Sequence, residues 1–320
     1  MRLVPGLLFA IAVALVASLF AGRVWVDPAA MPNAYIILAE LRLPRSVLAL
    51  VIGGGLGAAG AGMQGYLRNP LADPGLFGIA PGAAFGGVLA LSTGGGNLGA
   101  LTVPVGALLG AAGAMGLLSL LAGRTAGVTL FTLAGLMISS LAGALTSLVI
   151  TLATNAFALA GMMNWLIGAL TDRSWQDVAI ATPLTLVGVG LLYGAGRALD
   201  ALTLGEEAAR SLGIDPQALR WLMIMGVALT VGSGVAVAGV IGFVGLMVPH
   251  LVRPFTDRAP SSLILPSALA GALLVLVADI VCRMLPLVNE LKLGIALNLL
   301  GAPFFLHLLL KMRRGNSPWS

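Results

Sequence analysis

Ser46–Leu67 reads SVLALVIGGGLGAAGAGMQGYL, 22 residues without a charge. A run of about 20 apolar residues crosses the hydrocarbon core of a bilayer as a helix, because every backbone polar group can then be bonded internally. Inside it, Gly55-Leu56-Gly57-Ala58-Ala59-Gly60 fits the dinucleotide-binding pattern G-x-G-x-x-G. That pattern needs a preceding strand and a helix N-terminus facing phosphate, and neither is present in this continuous apolar run. Gly53 and Gly57, four apart on one face, fit small-residue packing between membrane helices instead. The stretch therefore reads as a transmembrane helix.

The rest of the chain agrees. Of 320 residues, 59% are hydrophobic and 9% charged, with a mean hydropathy of +1.04. Soluble domains carry roughly 25% charged residues, so this chain could not cover a water-facing surface. The short alternating segments of a membrane β-barrel are missing. The net charge of +5 is spread over loops with no basic run and no interleaved aromatics, so it sets topology and does not bind nucleic acid. Cys282, the single cysteine, excludes an intramolecular disulfide and reads as apolar filler.

Apolar runs punctuated by charge, proline or Gly-Asn clusters predict one all-α domain over 1–320 with about ten spans. These lie near Leu3–Gly22, Ser46–Leu67, Leu76–Leu91, Leu98–Ala122, Val128–Leu152, Val178–Ala195, Leu219–Ala238, Val240–Leu251, Leu263–Met284 and Leu293–Leu310. The eighth is short for a crossing. The first follows Arg2 but is longer than a signal-peptide core and has no small-x-small cleavage site, so it reads as a span. With the N-terminus inside, the inner loops carry eleven Lys and Arg and the outer loops six, which predicts both termini in the cytoplasm.

One polar segment stands out. Arg197–Arg220 reads RALDALTLGEEAARSLGIDPQALR, two short helix patterns parted by Gly213 and an Asp215-Pro216 turn. It reads either as a solvated linker or as a docking surface for a cytoplasmic partner. The chain's own chemistry is sparse. Neither Lys292 nor Lys311 follows a glycine, so no Walker A loop exists and ATP hydrolysis would belong to another polypeptide. No H-E-x-x-H and no G-x-S-x-G occurs, which removes the common zinc and serine hydrolases. His250 and His307 are far apart and read as packing residues. Asp279 is the acidic residue inside a span; Arg283 four residues on suggests a same-face ion pair.

Four segments together resemble the FecCD/BtuC-type permeases, the membrane subunits of ABC importers for iron–siderophore, haem and cobalamin. They are Leu41-Arg42-Leu43-Pro44-Arg45; Gly60-Ala61-Gly62-Met63-Gln64-Gly65 with Arg68-Asn69-Pro70-Leu71-Ala72-Asp73-Pro74; Leu204-Gly205-Glu206-Glu207-Ala208-Ala209-Arg210-Ser211-Leu212-Gly213; and Ala238-Gly239-Val240-Ile241-Gly242-Phe243-Val244-Gly245-Leu246-Met247-Val248-Pro249-His250. Ala278-Asp279 and Gly301-Ala302-Pro303-Phe304 follow in the same order. Two departures are Glu206 for the family's aspartate and Val240 for its proline, so the bend expected there rests on Gly239 and Gly242.

The resemblance implies a permease that performs no catalysis and binds no cofactor, with ATP and Mg used by a partner ATPase. It implies a bacterial inner-membrane assembly of two copies of this chain, two ATPase subunits and one periplasmic binding protein, moving a bulky metal chelate inward. Iron–siderophore or haem is the expected cargo, cobalamin the alternative; an ion-coupled carrier acting through Asp279 is the rival of another class. The coupling segment, about 203–219, would seat in the ATPase through Leu204, Gly205, Glu206, Glu207, Ala209, Arg210, Leu212 and Gly213. Arg42, Arg45 and Arg283 would meet acidic residues of the binding protein. Val128 and Thr129 would belong to a cytoplasmic gate, and Met162, Met163, Asn164 and Trp165 to a short helix near the outer mouth.

Overall fold

A computed structural model of the chain describes residues 3–22, 25, 33–94, 99–122 and 128–313. Among them are α1 (Leu3–Phe20), α2 (Ala34–Tyr66), α3 (Ile79–Ser92), α4 (Thr102–Ala122), α5 (Val128–Thr151), α6 (Ala156–Leu166) and α7 (Trp175–Gly194). The polar segment folds as α8 (Gly196–Leu202) and α9 (Glu206–Ser211), and α10 (Pro216–Ala238), α11 (Val244–Val252), α12 (Pro260–Met284) and α13 (Leu293–Arg313) complete the chain. No strand occurs among the described residues.

Eight of these helices, α1, α2, α4, α5, α7, α10, α12 and α13, are long and apolar enough to cross a bilayer. The expected third and eighth spans are the shorter α3, with 14 residues, and α11, with nine. At 1.5 Å per residue α11 covers about 14 Å, half of a ~30 Å hydrocarbon core. The chain enters it through a non-helical stretch whose left-handed residues are Gly239 (φ 73°) and Phe243 (φ 65°), so the bend expected at Gly239 and Gly242 uses Phe243 in place of Gly242. Irregular backbone at this depth must be satisfied by protein. Here the Ala169 N–H donates to the Ala238 carbonyl (2.8 Å), and the Gly294 N–H donates to that of Gly168 (3.0 Å).

The second span begins at Ala34, well before the expected Ser46, and contains a π-helical turn over Ile37–Arg42. Pro44 lacks an N–H and its ring crowds the carbonyl four residues back, so a regular helix would break there. The wider turn just upstream lets the helix continue. The Trp175 indole Nε1 on α7 donates to the Ala39 carbonyl in this turn (3.0 Å).

Small residues decide which helix is central. Most of α2 and α10 is buried, whereas α1, rich in large aliphatic side chains, buries Ser18 alone and leaves the rest half-buried or exposed to the surroundings that lipid would fill. A methyl group on Gly53 would run into the Gly271 carbonyl of α12, one on Gly57 into the Ser267 carbonyl, and one on Gly60 into Gly245 of α11. Backbones this close gain dispersion contacts that larger side chains would forbid, which is how helices associate in a solvent as apolar as themselves. Buried hydroxyls bond locally: Thr185 and Ser233 join α7 to α10 at 3.0 Å, and Thr230 donates to the Gly226 carbonyl.

Candidate functional site

At the Arg45 end of α2, the three arginines expected to meet a binding protein come together. Arg45 Nε and Nη2 donate to Asp279 Oδ1 at 3.0 and 2.8 Å, and Arg45 also pairs with Glu290. Arg283 Nε lies 3.1 Å from Asp279 Oδ2, the ion pair that the four-residue spacing predicts. Its Nη2 donates to Ser18 Oγ (2.8 Å) and its Nη1 to the Ser18 carbonyl (3.2 Å). Arg42 Nη1 donates to the Leu19 and Ala21 carbonyls at 2.8 and 3.1 Å. Cations thus sit on the unsatisfied carbonyls at the C-terminus of α1, where the helix dipole favours them.

Asp279 is fully buried between two guanidinium groups. A cavity of about 610 Å³ opens over the cluster, lined by Arg42, Arg45, Arg283 and Glu290 with Glu40 and Arg173. With Asp172 also lining the cavity, its four arginines are matched by four carboxylates, those of Glu40, Asp172, Glu290 and the buried Asp279. Ser18 and Glu290 had no signal in the sequence: a serine in an apolar helix and a glutamate in a short polar loop are unremarkable until the fold closes over them.

At the other end, the coupling segment departs from its expected division. The two short helices are parted at Leu204-Gly205, and the Asp215-Pro216 turn begins the long α10, with Asp215 Oδ1 accepting from the Gln217 N–H at 2.8 Å. Gly205 (φ 105°) and Gly213 (φ 83°) lie on either side of α9, in backbone regions where a Cβ is strained. Between them Ala209 is 2% exposed and anchors the helix, while Leu204 and Leu212 are 69% and 63% exposed. Glu207 and Arg210 are exposed and Glu206 half-buried. Two exposed leucines thus flank α9 on a polar segment.

The expected pathway residues divide. Thr129 is exposed near the start of α5; Val128 opens that helix, and its side chain lies outside the described residues. On α6, capped by Asn155 (Oδ1 to the Ala158 N–H, 2.8 Å), Met163 and Asn164 are exposed while Met162 is buried. Trp165 packs its ring against Gly87 of α3, so it is fixed within the subunit. Lys292 Nζ donates to the Asn164 carbonyl (2.9 Å), joining the start of α13 to the end of α6. His250 lies edge-on to Phe304. Among the described residues no group of three His, Cys, Asp or Glu could hold a metal ion.

Known proteins share this architecture. A solved structure of a metal-chelate type ABC transporter in an inward-facing conformation superposes with a TM-score of 0.90 and 32% identity, covering 97% of this chain and 99% of that one. The Vitamin B12 import system permease protein BtuC of Vibrio cholerae is 38% identical over 92% of this chain and 89% of its own length. The Fe(3+) dicitrate transport system permease protein FecD of Escherichia coli is also 38% identical, over 87% and 86%. Residues 10–311 match the FecCD transport family. With its helices, its α8–α9 projection and its buried arginine cluster in view, the chain belongs to the FecCD transport family and is the membrane-spanning permease of an ABC importer.

Proposed function

We propose that two copies of this chain form a translocation pore, served by two ATPase subunits at the α8–α9 projection and by one substrate-binding protein at the arginine cluster. The observation that carries the reading is the exposed pair Leu204 and Leu212, which flank α9 beside Gly205 and Gly213. A membrane protein with little polar mass gains nothing from bare leucines in water unless another surface covers them. ATP binding and hydrolysis in the partner move α9, and the pore alternates between the two sides of the bacterial inner membrane, with both termini of this chain in the cytoplasm.

The cargo is a bulky metal chelate. The V. cholerae relative is named for vitamin B12 and the E. coli relative for ferric dicitrate, which supports a metal-centred organic complex as the class. Iron–siderophore and haem come first and cobalamin second. The rival reading, an ion-coupled carrier working through Asp279, is disfavoured because that carboxylate is held by Arg45 and Arg283. Mild-detergent purification from native membranes tests the proposal: a Walker-motif ATPase should accompany the chain and be lost with Arg210→Glu. Solute uptake into vesicles by this chain alone, without ATP, would overturn it.

A further inference from the structure

Tyr66, the last residue of α2, is buried between α9 and the start of α5. Its ring packs edge-on against Phe131 of α5, with centroids 5.6 Å apart. Phe131 in turn meets Phe77 of the short 3₁₀ turn Pro74–Phe77 at 5.2 Å. The other end of Tyr66 is polar. Its hydroxyl is hydrogen-bonded by the side chain of Arg220, and the carboxylate of Glu206 on α9 adds its charge there. Arg220 is buried on α10, and Glu206 is half-buried. The Ile214 N–H donates to the Ala209 carbonyl (3.0 Å), which ties α9 to the chain entering α10. One side chain thus touches the neighbourhood of the coupling segment with its oxygen and the start of α5 with its ring.

α5 is attached to the subunit along a narrow stripe: Phe131, Ala134, Ile138 and Ala142 are buried, whereas Leu133 and Met137 stand exposed. Phe131 is the bulkiest side chain of that stripe and lies two residues beyond the exposed Thr129. Close-packed interiors pass a displacement on because they hold no voids to absorb it. A residue that only filled space beside Phe131 would need the ring and not the hydroxyl, since a buried hydroxyl loses its hydration and must find a partner. We propose that Tyr66 is the joint through which α9 sets the position of α5. Its hydroxyl follows Arg220 and Glu206, its ring carries Phe131, and the start of α5 shifts with them. Tyr66 is on this account a positioning residue, and the inference rests on the reading of α9 as the ATPase contact.

The test uses the full chain, carrying Thr129→Cys and purified with its ATPase into lipid nanodiscs. Labelling of that cysteine by a water-soluble maleimide is timed with and without MgATP; the native Cys282 is buried and stays silent. MgATP should change the labelling rate about fivefold or more, the lower end of ordinary coupling between sites. Tyr66→Phe, which keeps the ring, and Phe131→Leu, which keeps apolar bulk, should each shrink that change about threefold. ATPase co-purification, ATP hydrolysis and melting temperature should stay as in the parent. Tyr193→Phe, at an exposed tyrosine near the end of α7, should leave the response intact. A full response in both Tyr66→Phe and Phe131→Leu would overturn the inference alone. A weaker response matched by an equal fall in melting temperature, or shared by Tyr193→Phe, would mark a structural role and overturn it as well. A parent chain that brings down no ATPase would overturn the reading of α9 and the joint with it.

Discussion

Replacing Asp279 with alanine removes the carboxylate that Arg45 and Arg283 both face. The two arginine side chains are 12% and 7% exposed, so most of each guanidinium is withdrawn from water even though both border the cavity above the cluster. Breaking a buried pair from one side costs about 3–5 kcal/mol, because the surviving charge keeps its desolvation penalty and loses its counterion. Glu290 still holds Arg45, and Ser18 still accepts from Arg283. Those contacts place the expected loss near the lower bound, about 3 kcal/mol, or roughly a hundredfold in the folding equilibrium. Unfolding in mixed micelles by titration with a denaturing detergent measures it. Arg45→Ala and the double variant complete a cycle, and the pair should cost about 1–3 kcal/mol less together than the sum of the singles. A loss below about 1 kcal/mol for Asp279→Ala, with additive singles, would show that the cluster is open to water and refute the reasoning.

Gly60→Ala places a methyl group against the Gly245 backbone and should cost about 1–3 kcal/mol by overpacking, whereas Gly143→Ala, facing open space on α5, should be neutral or stabilising by up to ~1 kcal/mol; the same micellar unfolding assay compares them. Gly205→Val forces a β-branched residue to φ 105°, so α9 should swing out of place and ATPase co-purification fall at least tenfold with global stability changed by about 1–3 kcal/mol. Leu204→Glu with Leu212→Glu should abolish that co-purification at unchanged stability, since both side chains are exposed in the isolated subunit. Gln64→Ala deprives the buried Arg253 of an oriented acceptor and should lower stability by about 1.5–3 kcal/mol, read as a drop in detergent melting temperature.

Much of the architecture was open to a reader of the sequence, because lipid imposes a simple rule. Uncharged runs of about 20 residues mark spans, and the four-residue spacing of Gly53 and Gly57 announces the face that meets α12. The Asp279–Arg283 pair follows from helical periodicity alone. Features that depend on backbone irregularity were out of reach. The π-helical turn at Ile37–Arg42 answers Pro44 by adding a residue to a turn, which no hydrophobic pattern reports. Phe243 takes a left-handed conformation where a glycine was expected to carry the bend, and its ring lies against Gly301, a neighbour that periodicity does not encode. Likewise, nothing in a linear reading pairs Arg45 with Glu290, 245 residues away, or seats Trp165 on Gly87.

The glycine contacts along α2 also bear on how such a subunit moves. Gly53 with Gly271 and Gly57 with Ser267 form an interlocking rack, each tooth a carbonyl resting where a side chain is missing. Sliding one helix past the other by a turn, about 5.4 Å, in the direction that brings Ala49 to the place of Gly53 would set a Cβ onto a carbonyl that now meets hydrogen alone. Translation that way along the seam is therefore opposed, and the close backbone contact favours α2 and α12 moving together. Leu133 and Met137 of α5 and Leu299 and Leu306 of α13, by contrast, stand exposed on the surface of the subunit, outside that seam.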